Sequence, residues 1–268
     1  MKKVFVNSLP KSGTNLVSKF LKLIGYKYAN LGLASSLILG RYFFIRQLIR
    51  GVLFTKNPIV IGLDIPYSIR AEWLEKKLEK LETGMYITGH ARYSDNLYML
   101  LKKHNLKIIQ VIRDPRDVLV SYVHYISNNP SHFLYKCLRK MNYKEKYEFL
   151  LYGGKCNGLY IESFRTILLN IDLWISKNDI FIIKFEDIIG SKGGGDDNKQ
   201  LSIAKQILDF LEIKSDISKL KFVLDNLFGG THTFRKGKIG SWKEEMPKDI
   251  VDKVLKEIKD IIKKWEYE

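Results

Sequence analysis

Short apolar runs alternate along the chain with longer stretches in which apolar residues recur every three to four positions. The first pattern marks strands and the second amphipathic helices. Residues 3–7 read as a strand, and residues 14–24 as a helix with Val17, Phe20, Leu21 and Ile24 on one stripe. A short strand over 60–63 precedes a helix over 71–81, whose Trp73, Leu74, Leu78 and Leu81 face inward. Residues 85–88 predict a strand, 95–103 a helix and 107–112 a buried strand. The next helix opens near Pro115, a residue suited to a first turn because its missing N–H costs nothing there, with Asp114 as cap. A helix over about 161–177, a strand over 180–185 and helices near 199–211, 217–227 and 249–265 complete the series. Residues 190–198, with three consecutive glycines and two aspartates, read as a mobile surface loop. Strands that alternate with helices predict an α/β fold with a mostly parallel central sheet flanked by helices. Without a repeat or a dividing linker, residues 1–268 read as a single domain.

Composition narrows the class. With 268 residues, 46% hydrophobic and 28% charged, the chain is ordinary globular protein and excludes wholesale disorder. Two cysteines, Cys137 and Cys156, are too few for a disulfide framework or a cysteine zinc site. They are expected as reduced core thiols in a reducing compartment. Lys2 and Lys3 are followed by only Val4-Phe5-Val6 before Asn7, Ser8 and Pro10, so no export signal is expected. The apolar region 31–63 is broken by Arg41, Arg46, Arg50 and Lys56, which excludes a spanning helix there. A soluble, cytoplasmic protein is the expectation. Residues 37–54 read as a core helix with its arginines at the rim, the alternative being a basic amphipathic helix in peripheral contact with a membrane. The formal charge of +16 points to anionic partners without choosing among nucleic acid, acidic lipid, acidic glycan and a polyphosphate cofactor.

Three loops carry chemistry. Pro10-Lys11-Ser12-Gly13-Thr14-Asn15 joins the first strand to the first helix, where unpaired N–H groups and a partial positive charge suit a phosphate or sulfate. Gly13 permits close backbone approach, Ser12 and Thr14 add hydroxyls, and Lys11 adds a full charge. The lysine precedes the glycine and the loop is short, so this is not the phosphate loop of nucleotide triphosphatases. Arg113 ends a buried strand, where open α/β sheets bind ligands, and Ser121 follows two helical turns later. Arg113 can grip a phosphate with its planar fork, or pair structurally with Asp117. Arg235-Lys236-Gly237-Lys238 is either a phosphate loop or a solvated basic turn.

Together these segments resemble the sulfotransferases that use 3′-phosphoadenosine 5′-phosphosulfate (PAPS). The loop Pro10 to Thr14 matches that family's Pro-Lys-Ser-Gly-Thr phosphosulfate loop, a P-loop-like strand–loop–helix site. Arg113 and Ser121 match its 3′-phosphate motif, and Arg235, Lys236 and Gly237 its closing basic segment. The resemblance implies that Lys11 to Asn15 hold the 5′-phosphosulfate and that Arg113, Ser121 and the basic segment hold the 3′-phosphate. It also implies that Phe185 lies near adenine, Phe222 being a weaker candidate. The product would be 3′,5′-ADP (PAP), and no metal is implied. Ser241 stands where the family pattern has an aspartate.

Transfer to an alcohol needs a base, and histidine is the usual one near neutral pH. Of His90, His104, His124, His132 and His232, only His90 follows a strand at the sheet end shared with Lys11 and Arg113. His104 reads as exposed and His124 as a packing residue, while His132 and His232 fall in undefined loops. The resemblance raises His90, because Thr88-Gly89-His90 occupies the place of the family's Lys-Thr-His. Thr88 departs from the lysine that cytosolic members carry there. The implied activity is sulfuryl transfer to a hydroxyl or amine, with His90 as general base and Lys11 stabilising the leaving phosphate. An atypical ATP-dependent kinase and a non-enzymatic basic module for nucleic acid or glycan stay open as alternatives, nucleic acid not being the expected partner. Residues 25–70 and 128–158 match no motif and are expected to shape the acceptor pocket, for a small molecule, lipid or glycan. Tyr26, Tyr28, Tyr42, Phe43 and Phe44 make the first of these regions aromatic, and Phe133 and Tyr135, with Tyr125 just before them, the second.

Overall fold

Strand β1 (Lys3–Ser8) runs through the centre of the molecule because its two faces are both apolar: Val4 and Val6 point into one layer and Phe5 into the other. In this computed structural model, which describes residues 1–34, 58–214, 216–230 and 235–268, four parallel strands flank it. Helix α1 (Thr14–Leu23) leads to β2 (Lys27–Leu33) at one sheet edge. The hairpin β3 (Pro58–Ile61) and β4 (Tyr67–Arg70) and helix α2 (Ala71–Glu79) precede β5 (Met85–Gly89). Helix α3 (Asp95–Lys103) then leads across to β6 (Leu106–Ile112) on the other side of β1.

Helix α4 (Pro115–Ser127) starts as the sequence predicts, with Asp114 accepting from the Arg116 N–H at 2.9 Å. Then come α5 (Tyr135–Leu138), α6 (Tyr143–Tyr152), the hairpin β7 (Gly154–Cys156) and β8 (Leu159–Ile161), and α7 (Phe164–Ile175). The edge strand β9 (Phe181–Lys184) runs directly into a single turn, α8 (Phe185–Ile188). Helices α9 (Asp197–Phe210), α10 (Ile217–Asp225), α11 (Trp242–Glu245) and α12 (Lys248–Lys264) follow. The sheet order is β2-β5-β1-β6-β9, every neighbour parallel. Helices α1, α9 and α10 cover one face, where Val17, Phe20, Ala204 and Val223 meet Val4, Val6, Ile109 and Val111. Helices α4, α6, α7 and α12 cover the other around Phe5, Ile87 and Ile108. This is the expected α/β fold.

Several expectations need correction. Strand β2 is absent from the periodicity because edge position leaves its Lys27 and Asn30 exposed, and Asn30 takes a left-handed turn at φ 52°. The short strand near residue 60 starts earlier and pairs with β4 outside the main sheet. Residues 190–198 lie at the surface as expected, most of them exposed, but the segment is docked at Gly193. Gly193 is buried against the Gly237 carbonyl, where an added Cβ would lie at 2.6 Å, and its own carbonyl accepts from the Ile239 N–H at 3.0 Å.

The largest correction concerns the cysteines. Cys137 and Cys156 are joined in a disulfide, with Cα atoms 6.1 Å apart, rather than standing as reduced thiols. Helix α6, with its Asn142–Glu145 capping box, turns the chain back and brings β7 to α5. That approach is tertiary and leaves no trace in spacing. Residues 37–54 lie outside the described residues. Among the described residues no helix is long and apolar enough to cross a membrane.

Candidate active site

The chain leaves β1 toward one sheet edge and, after β5, crosses to the opposite side. Ligands of open α/β sheets sit at such a switch point, outside the carboxyl ends of the strands. A cleft of about 340 Å³ opens there. Of the predicted site residues, Lys11, Gly13, Thr14, Asn15, His90, Arg113, Ser121, Phe185, Arg235, Lys236 and Gly237 all line it. Ser12 lies fully buried beneath the loop.

The loop after β1 is wrapped by two residues in left-handed conformation, Lys11 at φ 69° and Gly13 at φ 109°. For a lysine this costs roughly 1–2 kcal/mol, a strain typical of functional loops. Gly13 is doubly required, since an added Cβ would lie 2.8 Å from the Phe185 ring. It caps α1 without a side-chain hydrogen bond, and the Leu16 and Val17 N–H groups donate to its carbonyl. The first turn therefore presents N–H groups to the cleft, an anion site by construction. The Thr14 and Ser8 hydroxyls are hydrogen-bonded at 2.5 Å.

Arg113 is buried at the end of β6, with its guanidinium 4.3 Å from the centre of the Phe185 ring. Its Nη2 donates to the Lys238 carbonyl at 2.7 Å and its Nη1 to the Lys11 carbonyl at 3.4 Å. The Asp117 carboxylate is 3.4 Å away, so the alternative ion pair is present but long. Asp117 spends its stronger bonds on the C-terminal loop, accepting from Gly240 N–H at 2.7 Å and Trp242 N–H at 2.9 Å. The carboxylate that anchors this loop thus comes from α4, and position 241 can be a serine.

Arg235 and Lys236 converge on Glu245, at 2.8 Å and 3.0 Å, and His124 Nε2 faces the same carboxylate at 2.8 Å. Burial alone would raise the Glu245 pKa, but the hydrogen bonds and charges of Arg235 and Lys236 hold it at about 2. Lys11 lies with its ammonium 4.2 Å from the centre of the Tyr125 ring. Burial, reinforced by Arg113 and Arg235, lowers its pKa to about 8.

Among the described residues, two buried polar atoms here have no partner, the Ser12 Oγ and the Arg113 Nε. Orphan donors beside an uncapped helix N-terminus fit a bound phosphorylated anion. Among the described residues no group of three or more His, Cys, Asp or Glu side chains could hold a metal ion.

His90 follows β5 directly. Its ring Nδ1 donates to the Ser8 carbonyl at 2.8 Å, which leaves the Nε2 lone pair to accept a proton. Burial, the leading effect, lowers its pKa below the ordinary histidine value. The other histidines separate as follows. His104 caps α3 near Glu75, His124 serves Glu245, and His232 lies outside the described residues. His132, placed by the sequence in an undefined loop, lines the cleft. It accepts from the Leu134 N–H, and burial is the main cause that lowers its pKa to about 4. Phe222 is 65% exposed on α10 and is not a cleft residue.

Asp64 and Tyr122 also line the cleft and were not foreseen; the Tyr122 hydroxyl donates to Asp64 at 2.6 Å. Tyr125 follows Ser121 by four residues, on the same helix face, a signal legible once Ser121 is in the site; Tyr122, the next residue, lacks it. Asp64 sits on a hairpin turn and carries no such signal. Thr88 lines the cleft with its hydroxyl 3.4 Å from that of Tyr28.

Solved structures similar to this one include mouse sulfotransferase SULT7A1 complexed with PAP, with a TM-score of 0.62 and 16% identity over 97% of this chain and 84% of that chain. Retinol dehydratase in complex with androsterone and inactive cofactor PAP gives 0.60 and 18% over 97% and 80%. Its complex with retinol and PAP gives 0.59 and 18% over 97% and 81%. These likenesses bear on the fold. No curated protein matches the chain in sequence. The sulfotransferase domain model, however, matches residues 1–266. With that match spanning the three cleft loops and the sheet that carries them, the chain belongs to the sulfotransferase domain family.

Proposed function

We propose that the protein transfers a sulfuryl group from PAPS to a hydroxyl or amine, acting as one catalytic unit over residues 1–268. The carrying observation is that Lys11, His90 and Arg113, from the ends of three adjacent parallel strands, open onto one cleft. PAP in the similar solved structures supports the same reading. PAPS, when bound, supplies the sulfuryl group and a phosphate leaving group. Lys11 and the N–H groups of residues 13–15 hold the 5′ end and offset the charge that develops on its leaving phosphate, the Ser12 N–H being donated to the Leu9 carbonyl at 3.1 Å. Arg113, Ser121, Arg235, Lys236 and the Gly237 backbone hold the 3′-phosphate, and Phe185 flanks the adenine side. His90 takes the acceptor proton at Nε2, and Asp64, Tyr122, Tyr125 and His132 line the acceptor side. This is positioning plus electrostatic stabilisation, as in phosphoryl transfer. The disulfide weighs against the reducing cytoplasmic setting expected from the sequence, because such bonds persist in oxidising compartments.

Calorimetric titration tests the reading. The protein should bind 3′,5′-ADP and neither 5′-ADP nor Mg-ATP with comparable strength. Arg113→Ala should weaken 3′,5′-ADP by about 10–100-fold, the worth of a charge-assisted contact. Binding of Mg-ATP instead would favour a kinase, and binding of no nucleotide would favour a non-enzymatic module.

A further inference from the structure

Asn7 and Gln110 interrupt the interior of β1 and β6, where the neighbouring positions are apolar and where neither side chain has any exposed surface. Buried carboxamides are costly unless every group is paired, and a valine at either position would complete the apolar face. Both side chains are paired, and the bonds converge on one residue. The Ala91 N–H donates to Asn7 Oδ1 at 2.8 Å, and Asn7 Nδ2 donates back to the Ala91 carbonyl at 3.2 Å. Asn7 Nδ2 also donates to Gln110 Oε1 at 2.9 Å, while Gln110 Nε2 donates to the Val111 carbonyl at 3.1 Å. From α7, which packs on the same face, Trp174 Nε1 donates to the same Ala91 carbonyl at 2.9 Å.

The register explains what this does. Pairing of β1 with β5 ends at Asn7 and Gly89, one residue before His90. Beyond that point the Asn7 side chain continues the ladder, offering the Ala91 peptide the acceptor and donor that another strand residue would have offered. His90 is held in between: its N–H donates to the Leu33 carbonyl at 2.8 Å, and its ring Nδ1 to the Ser8 carbonyl at 2.8 Å. The peptide units on both sides of Ala91 are thus held: the Ala91 N–H by one buried hydrogen bond and the Ala91 carbonyl by two, so the backbone that leaves His90 is fixed.

We infer that Asn7 is a positioning residue, whose carboxamide, backed by Gln110 and Trp174, clamps the backbone N–H and carbonyl of Ala91 so that His90 keeps its proton on Nδ1 and presents Nε2 to the acceptor. The functional consequence rests on His90 being the base; the clamp itself does not. A polar side chain at this place is what a site needs when its base sits just past the end of a strand, where the backbone ladder no longer orients it.

Nitrogen NMR of the His90 ring in the full-length chain tests the clamp without any acceptor. Wild type should show one tautomer, with the proton on Nδ1. Asn7→Leu, similar in volume, should show the mixed tautomers of an unrestrained imidazole while its affinity for 3′,5′-ADP is unchanged. Trp174→Phe removes only one of the three bonds and should give a smaller shift in the same direction. It carries the test should Asn7→Leu not fold. A folded variant that keeps the wild-type tautomer overturns the inference. Full sulfuryl transfer by His90→Asn would instead remove the base assignment, and the ring spectra would still decide whether the clamp exists.

Discussion

The two sides of the cleft are built differently. On the proposed phosphate side, charge and N–H groups come from two strand–loop–helix junctions, each contiguous in sequence, closed over by the basic segment around Arg235. On the other side, Asp64 arrives on a hairpin turn, Tyr122 and Tyr125 on α4, and His132 on the loop after α4. The wall behind them is stitched by tertiary bonds. The Glu162 N–H donates to the Asp64 carbonyl at 2.9 Å, Arg92 pairs with Glu162 at 2.9 Å, and Cys137 is joined to Cys156. A sulfated nucleotide needs a dense, fixed array of donors, which a helix N-terminus supplies locally. An acceptor wall has no such requirement and is assembled from whatever the fold brings together.

The largest expected effect separates the two sides at their meeting point. His90→Asn should lower transfer from PAPS to a panel of phenols, sugars and amines by on the order of 10²–10⁴-fold, with 3′,5′-ADP affinity retained. Lys11→Ala should lose both, turnover by on the order of 10²–10³-fold and affinity with it. Full turnover in either variant removes that residue from the mechanism.

A second effect belongs to the acceptor wall. Removing the disulfide in a Cys137→Ser, Cys156→Ser variant should cost about 3 kcal/mol, as expected for a closed loop of this size, read as a lower midpoint of thermal unfolding. Its affinity for 3′,5′-ADP should not change, because Cys137 and Cys156 lie away from the cleft lining. Weakened 3′,5′-ADP binding in the folded variant would show that the two sides are not independent.

The smallest effect concerns pH. Lys11 titrates at about 8 because burial, then Arg113 and Arg235, disfavour its charge. It is cationic below that value and neutral above, so 3′,5′-ADP affinity should hold at neutral pH and decline as pH rises past about 8. Lys11→Met should flatten that decline. An unchanged slope would assign the titration to another group.

The phosphate side was legible because each of its pieces is local. Pro10 to Asn15 and Arg113 to Ser121 are contiguous, and the short apolar run before each tells where the strand ends and the helix begins. The place of His90 at the cleft was legible for the same reason, as the residue after a strand. Gly13 illustrates the limit: its left-handed turn is readable from the loop, but its contact with Phe185 across the cleft is not.

The succession of short apolar runs and amphipathic stretches by itself determined the α/β class, the central strands and the strand–helix junctions proposed to hold the anion, since these depend on patterns within a few residues. Only the tertiary structure decided the rest. It brought Cys137 to Cys156, moved His132 and Asp64 into the cleft, docked residues 190–198 beneath the basic loop, and gave Asn7 its partner at Ala91. Each of these pairs elements far apart in sequence. What brings them together is the burial of two sheet faces, a collective effect that no local spacing encodes.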